Sequence, residues 1–240
     1  MFPIYTKIGM PKKFKTFKYE IVTSTNDICF EKCRLNKGTN FVISEEQSDG
    51  RGRNSKKWFS PKGNISFSFG FFSQNLIKGL SVQSGLIVAK TIQSVFKKDV
   101  GLKWPNDVIF RSKKVGGILT ECENIDNRYL NVIGVGLNLK IESNESHWGS
   151  LEEEIESERK QHFISHLQNN FLVLTENNIK NNWVAEWEGF CIHINQKIYL
   201  KNLEQEAVFL GIDSDGSLVG RKDGKVFRSE ESSIFVEGLY

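Results

Sequence analysis

Hydrophobic and polar positions along this chain fall into two textures. Up to about residue 190, long apolar-periodic stretches alternate with glycine-marked loops; beyond it, short β runs follow one another through closely spaced turns. Residues 1 to 20 are basic and poorly patterned and predict no element. Ser24-Thr25-Asn26-Asp27 reads as a helix N-terminus ahead of Ile28-Cys29-Phe30, with hydroxyls and an amide that could either cap the helix or face a ligand. Phe41 to Ser44 reads as a strand. Asn64 to Phe72 alternates apolar and small polar residues at period two, the pattern of a half-buried strand. Ser81 to Lys98 is the clearest helix, with Gly85, Val88, Ala89, Ile92, Val95 and Phe96 on one face.

Four strand-like runs come next: Gly101 to Trp104, Asp107 to Arg111, Val115 to Glu123 and Arg128 to Leu139. Their turn signals predict an antiparallel meander rather than a parallel βαβ sheet. After a polar loop at 140–150, a helix reaching about Thr175 carries Phe163, Leu167, Phe171 and Leu174 on its apolar stripe, and a shorter one carries Ile179, Trp183 and Trp187. From Cys191 the runs Ile192 to Leu200, Ala207 to Ile212, Ser217 to Arg221 and Lys225 to Arg228 are joined by hairpin turns at Asp215-Gly216 and Asp223-Gly224. They predict a small all-β barrel, and hence two domains, 1–190 and 191–240.

The chain's most unusual stretch is Gly50-Arg51-Gly52-Arg53-Asn54-Ser55-Lys56-Lys57-Trp58-Phe59. Glycines at this density break regular structure and let backbone N–H groups approach a ligand, with cationic side chains between them. Slung between two strands, such a loop suits a phosphate or carboxylate, and is expected to order only when that anion arrives. Further along, Lys103-Trp104-Pro105-Asn106-Asp107 offers an aromatic, an amide and a carboxylate around a proline that interrupts the ladder. Lys114 with Gly116-Gly117-Ile118-Leu119, and Gly134-Val135-Gly136-Leu137-Asn138, put glycines inside strands, where a backbone can approach a ligand closely.

Composition changes this picture little. With 39% hydrophobic and 25% charged residues and a net charge of +3, the chain is an ordinary globular protein with no nucleic-acid coat. No apolar run is long enough for a signal peptide or a membrane span, so a cytoplasmic location is expected. Cysteines 29, 33, 122 and 191 have neither disulfide-scaffold nor zinc-ribbon spacing; Cys29 and Cys33, one helical turn apart, are expected to be buried free thiols. His162 and His166 stand at i, i+4, but without an adjoining Glu or a third ligand no metal site is assigned.

Taken in order, Ser24-Thr25-Asn26, Gln47 with Gly-Arg-Gly-Arg at 50–53, Trp58, Lys-Trp-Pro-Asn-Asp at 103–107, Lys114 with Gly-Gly-Ile-Leu, and Gly-Val-Gly-Leu-Asn at 134–138 closely resemble the biotin protein ligase family. The resemblance covers roughly residues 20 to 240. It departs after Arg53, where the family usually has Gly and then Arg at the places held by Ser55 and Lys56. With 23 residues before Ser24, the chain resembles the stand-alone type that lacks an N-terminal DNA-binding domain, so no specific DNA binding is expected.

The resemblance implies an α+β fold: a mixed or antiparallel sheet like that of class II aminoacyl-tRNA synthetases, flanked by helices, and a C-terminal SH3-like barrel. It implies ATP, Mg²⁺ and biotin as reactants, and a biotin carboxyl carrier protein as partner, the enzyme being a monomer or homodimer. Biotin-binding positions would be Ser24, Thr25, Asn26, Gln47, Gly50, Arg51, Arg53, Lys114 and Gly117. The adenylate would meet Arg53, Lys56, Trp58, Asn106, Lys114 and Asn138. Lys114, Arg53 and Asp107 would be catalytic, Lys114 as the main electrophile and Asp107 as the group that orients or deprotonates the acceptor amine. Two other functions are weighed against this one. A lipoate or octanoate ligase or transferase on the related fold would need a long apolar pocket, and its ATP-independent type no nucleotide loop. A nucleic-acid-binding module would need a broader basic face.

Overall fold

The computed structural model describes residues 14–140, 148–152, 157–176, 182–230 and 233–239. Its larger sheet has seven strands in the order β1-β2-β3-β7-β6-β5-β4. Strand β1 (Phe14–Val22) lies parallel to β2 (Thr39–Gln47), and helix α1 (Thr25–Asn36) crosses between them. The unpatterned start of the chain is therefore partly wrong as an expectation. In Phe14-Lys15-Thr16-Phe17-Lys18-Tyr19 lysines interrupt the apolar positions, because an edge strand buries little of either face.

β4 (Gly101–Lys103), β5 (Asp107–Phe110), β6 (Lys113–Ile125) and β7 (Arg128–Leu137) form the antiparallel meander that the turn signals predict, and β3 (Ile65–Ser73) joins it antiparallel to β7. β3 is buried on both faces rather than one. Its phenylalanines Phe67, Phe69 and Phe71 join the main core under α2 (Leu80–Phe96) and α3 (Ser157–Phe171). Its other face carries Ser66, Ser68 and Gly70 because α1 lies against it; a Cβ at Gly70 would sit 2.5 Å from the Cys33 sulfur and 2.7 Å from that of Cys29. Small side chains here mark a covered face. Both cysteines are buried free thiols, as their spacing predicts. Phe163, Leu167, Phe171 and Leu174 are buried as expected, the last in a 3-10 turn beyond α3. Trp183 and Trp187 lie in α4 (Trp183–Phe190), while Ile179 is outside the described residues.

The C-terminal strands β8 (Lys197–Leu200), β9 (Gln205–Ile212), β10 (Leu218–Lys222), β11 (Lys225–Ser229) and β12 (Ile234–Val236) form an antiparallel five-stranded sheet ordered β11-β10-β9-β8-β12. The predicted barrel is not closed by hydrogen bonds among the described residues, since β11 pairs only with β10 and β12 only with β8. The run expected from Ile192 also starts later. Cys191 bridges Leu102 in parallel and the Ile192 N–H donates to the Leu102 carbonyl at 3.2 Å, so this segment extends the first sheet at β4.

One apolar core runs through both sheets. Trp187 and Phe209 have ring centroids 6.5 Å apart, and the Trp104 indole N–H donates to the Gly216 carbonyl at 3.0 Å. His193 is fully buried in this seam, where burial pushes its pKa down to about 3, so it is neutral.

Candidate active site

A cavity of about 490 Å³ opens where the start of α1, the 50–58 segment, the 104–106 turn, strands β6 and β7 and the C-terminal sheet converge. Of the residues singled out from the sequence, Ser24, Thr25, Asn26, Gln47, Arg51, Arg53, Lys56, Trp58, Asn106, Asp107, Lys114 and Gly117 line it. Gly50 and Asn138 do not. Gly50 is the close-approach position of the loop: a Cβ there would lie 2.5 Å from the Trp58 carbonyl oxygen and 3.1 Å from Gln47 Nε2. Asn138 is buried outside the cavity lining, where its Nδ2 donates to the Gly149 carbonyl at 3.1 Å, so its amide braces the chain next to Trp148.

One end of the cavity is a polar network around the first turn of α1. Ser24 is the N-cap residue but its side chain makes no capping bond, and Ser24, Thr25 and Asn26 are all buried, which a plain cap does not need. Gln47 Oε1 accepts from the Thr25 N–H at 2.9 Å and from the Thr25 hydroxyl at 3.1 Å, while Gln47 Nε2 donates to Ser60 Oγ at 2.8 Å. Ser68 Oγ lies 2.7 Å from Thr25 Oγ1 and 2.6 Å from Asn26 Oδ1, and Asn26 Nδ2 donates to Glu121 at 2.6 Å. Thr25, Asn26 and Gln47 are thus held in fixed orientations by their neighbours, as a site that must recognise a neutral polar ring requires.

The basic segment forms a hairpin rather than an open loop. Arg51 bridges Lys57, the Gly52 N–H donates to the Lys56 carbonyl at 2.6 Å, and the Trp58 N–H donates to the Gly50 carbonyl at 2.8 Å. Its tip is a 3-10 turn, Arg53–Ser55, with Asn54 at φ 55° and Ser55 at φ 56°, in the left-handed region that favours glycine. Arg51 is held by Asp27 at 2.5 and 2.7 Å and by Glu121 at 3.2 Å, and these carboxylates push its pKa up. The charges of this segment are thus partly balanced by α1 and β6, two carboxylates whose part was not legible in the motif.

The opposite end is cationic and aromatic. Lys114 Nζ stands 2.5 Å from Asp107 Oδ1 and 5.7 Å from the centre of the Trp58 ring. Trp58 stacks on Trp148 with centroids 5.2 Å apart, and it lies flat on β7 because residue 136 is glycine: a Cβ there would overlap the indole. Gly134 makes the same allowance for the Asn26 amide. The alternating glycines of β7 are close-approach positions for neighbouring side chains. Asn106 locks the 104–106 turn to β6, with Nδ2 donating to the Ile118 carbonyl at 2.9 Å and its carbonyl accepting from the Ile118 N–H at 2.9 Å.

Sequence reading missed Trp148, whose only signal was a lone aromatic in a polar stretch, and Lys103, which was quoted within its motif but given no role. It also missed Lys201 and Phe235, which the C-terminal sheet brings to the cavity mouth. His162 and His166 have ring centroids 4.4 Å apart on α3, and no group of three or more metal-ligating side chains occurs among the described residues. No helix among the described residues is long and apolar enough to cross a membrane.

Comparison with known proteins gives the same direction. The Biotin/lipoate A/B protein ligase family profile matches residues 19–138. The "Bifunctional ligase/repressor BirA" of Escherichia coli (strain K12) is 28% identical over 219 residues, spanning 85% of this chain and 68% of that protein. "Biotin--protein ligase 2" of Arabidopsis thaliana is 30% identical over 129 residues, 50% of this chain and 39% of that one. The structure of the Aquifex aeolicus biotin protein ligase in complex with biotin and ATP superposes with a TM-score of 0.74 at 21% identity, over 93% of this chain and 99% of the other.

Proposed function

Because the chain belongs to the Biotin/lipoate A/B protein ligase family, we propose that it is a biotin protein ligase, which activates biotin with ATP and transfers it to a lysine of a carrier domain. One observation carries this reading: a polar pocket ordered by hydrogen bonds and a cation-rich aromatic pocket are the two ends of a single cavity of about 490 Å³. That is the shape needed to bring a neutral ring with a carboxylate tail against a nucleotide triphosphate.

In the first step a biotin carboxylate oxygen attacks the α-phosphorus of ATP, and the bond to pyrophosphate breaks. Two anions must meet, so cations have to be aimed at the phosphoryl oxygens. Lys114 on β6 and Arg53 at the hairpin tip, which line the cavity with Lys56, would supply them. Ser24, Thr25, Asn26 and Gln47 would hold the ureido ring, and Arg51 and Gly117 the tail. Trp58, which stacks on Trp148 and has the Lys114 ammonium 5.7 Å from its ring centre, would take the adenine. In the second step the acceptor amine attacks the biotin carboxyl carbon and AMP leaves. Asp107 would orient the amine and take its proton once phosphate has drawn Lys114 away.

Mg²⁺ fits the chemistry of the donor set: Asp107 is a single carboxylate beside the triphosphate's place, and this ion is commonly held by one or two carboxylates plus substrate phosphates. It would supply positive charge to the phosphates. The C-terminal sheet is read as the SH3-like domain, 191–240, packed on the catalytic domain, 1–190. The carrier partner and a cytoplasmic location belong to the same proposal. Biotin-dependent exchange of label between pyrophosphate and ATP tests it. Exchange that depends on lipoate or octanoate instead would assign the chain to the other branch of the family.

A further inference from the structure

We propose that Glu121 is a positioning residue of the adenylating step: from β6, one carboxylate sets both the Asn26 amide at the polar end of the cavity and the Arg51 guanidinium on the basic hairpin. The inference rests on the ligase reading above and adds to it a residue to which that reading gives no role.

The first argument is placement. Side chains two apart on a strand share a face, and on β6 Gly117 and Leu119 line the cavity. Glu121 is the next residue on that face and stands just beyond the lining, so it acts through its neighbours rather than on a ligand. Its Oε2 accepts from Asn26 Nδ2 at 2.6 Å and from Arg51 Nη2 at 3.2 Å, and its Oε1 accepts from the same guanidinium nitrogen at 3.3 Å. Asn26 and Arg51 both line the cavity. A single carboxylate oxygen therefore joins the first turn of α1 to the hairpin.

The second argument is chemistry. A side-chain amide carries donor and acceptor at opposite corners and fits its slot either way round. An ionised carboxylate only accepts, so it draws the Nδ2 end of Asn26, while the Ser68 hydroxyl donates to Oδ1 at 2.6 Å. Gly134 leaves room for this arrangement, since a Cβ there would lie 2.4 Å from Asn26 Oδ1. A flip would exchange donor for acceptor at a residue that lines the cavity, and it would leave two acceptors facing each other. Arg51 is held by Asp27 at 2.5 and 2.7 Å, and Glu121 adds a second carboxylate from a strand of the sheet. The strand also carries its own contrast. Two residues on, Glu123 pairs with Arg34 of α1 at 2.5 Å, and neither of these lines the cavity. Both pairs tie β6 to α1, but Glu121 does so through residues of the site.

That contrast gives the experiment. Glu121→Ala should weaken binding of biotin without nucleotide about 10-fold, the low end for losing a hydrogen bond to a charged group because the carboxylate is partly exposed. Glu121→Gln should recover most of that loss, because its carbonyl still accepts from Asn26. In an Asn26→Ala background Glu121→Ala should cost less than about twofold, as expected of a residue that acts through Asn26. Both Glu121 variants should speed protease nicking within 48–57, without ligand, by up to about fivefold, the scale of a partly exposed ion pair on Arg51. Glu123→Ala should leave biotin affinity and nicking as in the parent.

Equal effects of Glu121→Ala and Glu123→Ala would reduce Glu121 to a pin between strand and helix and overturn the inference. So would an undiminished loss in the Asn26→Ala background, or parental biotin affinity in Glu121→Ala. If Glu121→Ala does not fold, Glu121→Gln decides: near-parental biotin affinity with faster nicking supports the proposal, and any other combination sinks it. Absence of biotin binding and of biotin-dependent exchange in the parent would count against the ligase reading instead, while nicking would still test the hold of Glu121 on Arg51.

Discussion

At the scale of single residues, the chemistry turns on where positive charge is fixed. Lys114 sits on a strand inside the sheet, so its ammonium is held in place before any ligand arrives, and it should stabilise charge that grows in the transition state. Lys114→Ala should slow adenylate formation by about 10²–10³ and weaken binding of preformed biotinyl-5′-AMP far less. Comparable losses in rate and affinity would reduce it to a binding residue. Gly136 acts through what it leaves out. Gly136→Ala puts a methyl where the Trp58 indole lies, so it should displace that ring and raise the ATP requirement while sparing biotin affinity. Titrations of each ligand separately would check this. Gly134 and Gly136 stood out in the sequence, but as approaches to ligand. Their use by Trp58 and Asn26 depends on a hairpin and a helix end distant in the chain. Asn138 lies outside the cavity lining for the related reason that an amide following a strand can turn to either side of it.

At the scale of elements, the basic hairpin is the part most different from its sequence reading. Its glycines and like charges predict disorder without an anion, yet two carboxylates from α1 and β6 hold Arg51, and backbone bonds close the hairpin at both ends of the turn. Those partners lie 24 and 70 residues away along the chain, so no local pattern could announce them. The remaining weak point is the tip. Ser55 adopts φ 56°, where a non-glycine residue costs about 1–2 kcal/mol, and the family's usual residue there is glycine. Ser55→Gly should therefore slow protease nicking within 48–57, and Lys56→Arg should leave activity unchanged or slightly raised. Faster nicking in Ser55→Gly would mean that glycine's added freedom outweighs the relieved strain. Arg53 belongs to this tip and faces the cavity, so Arg53→Gly should let biotinyl-5′-AMP escape and label lysines on bystander proteins. A variant that keeps its adenylate as long as the parent would remove Arg53 as the clasp.

At the scale of the whole molecule, two textures of sequence predict two domains, but the packing ties them more closely than a linker would. Runs and turns locate nearly every strand on either side of residue 190, because period-two patterning and hairpin turns are local properties. What joins them is not local. Trp187 packs on Phe209, Glu188 accepts from the Ile212 N–H at 3.2 Å, and the Trp104 indole bonds Gly216 from a turn that also lines the cavity. The seam and the cavity wall therefore share a residue, and loosening one should loosen the other. Trp187→Ala removes a side chain that is 1% exposed, and the cavity left behind should cost roughly 3–5 kcal/mol. With a continuous core, that loss should lower the midpoint of one cooperative transition, with circular dichroism and biotin-dependent exchange falling together as denaturant is added. If the C-terminal sheet came apart first while exchange activity persisted, the seam would be a contact between independent units, and the last five strands would be dispensable for adenylation.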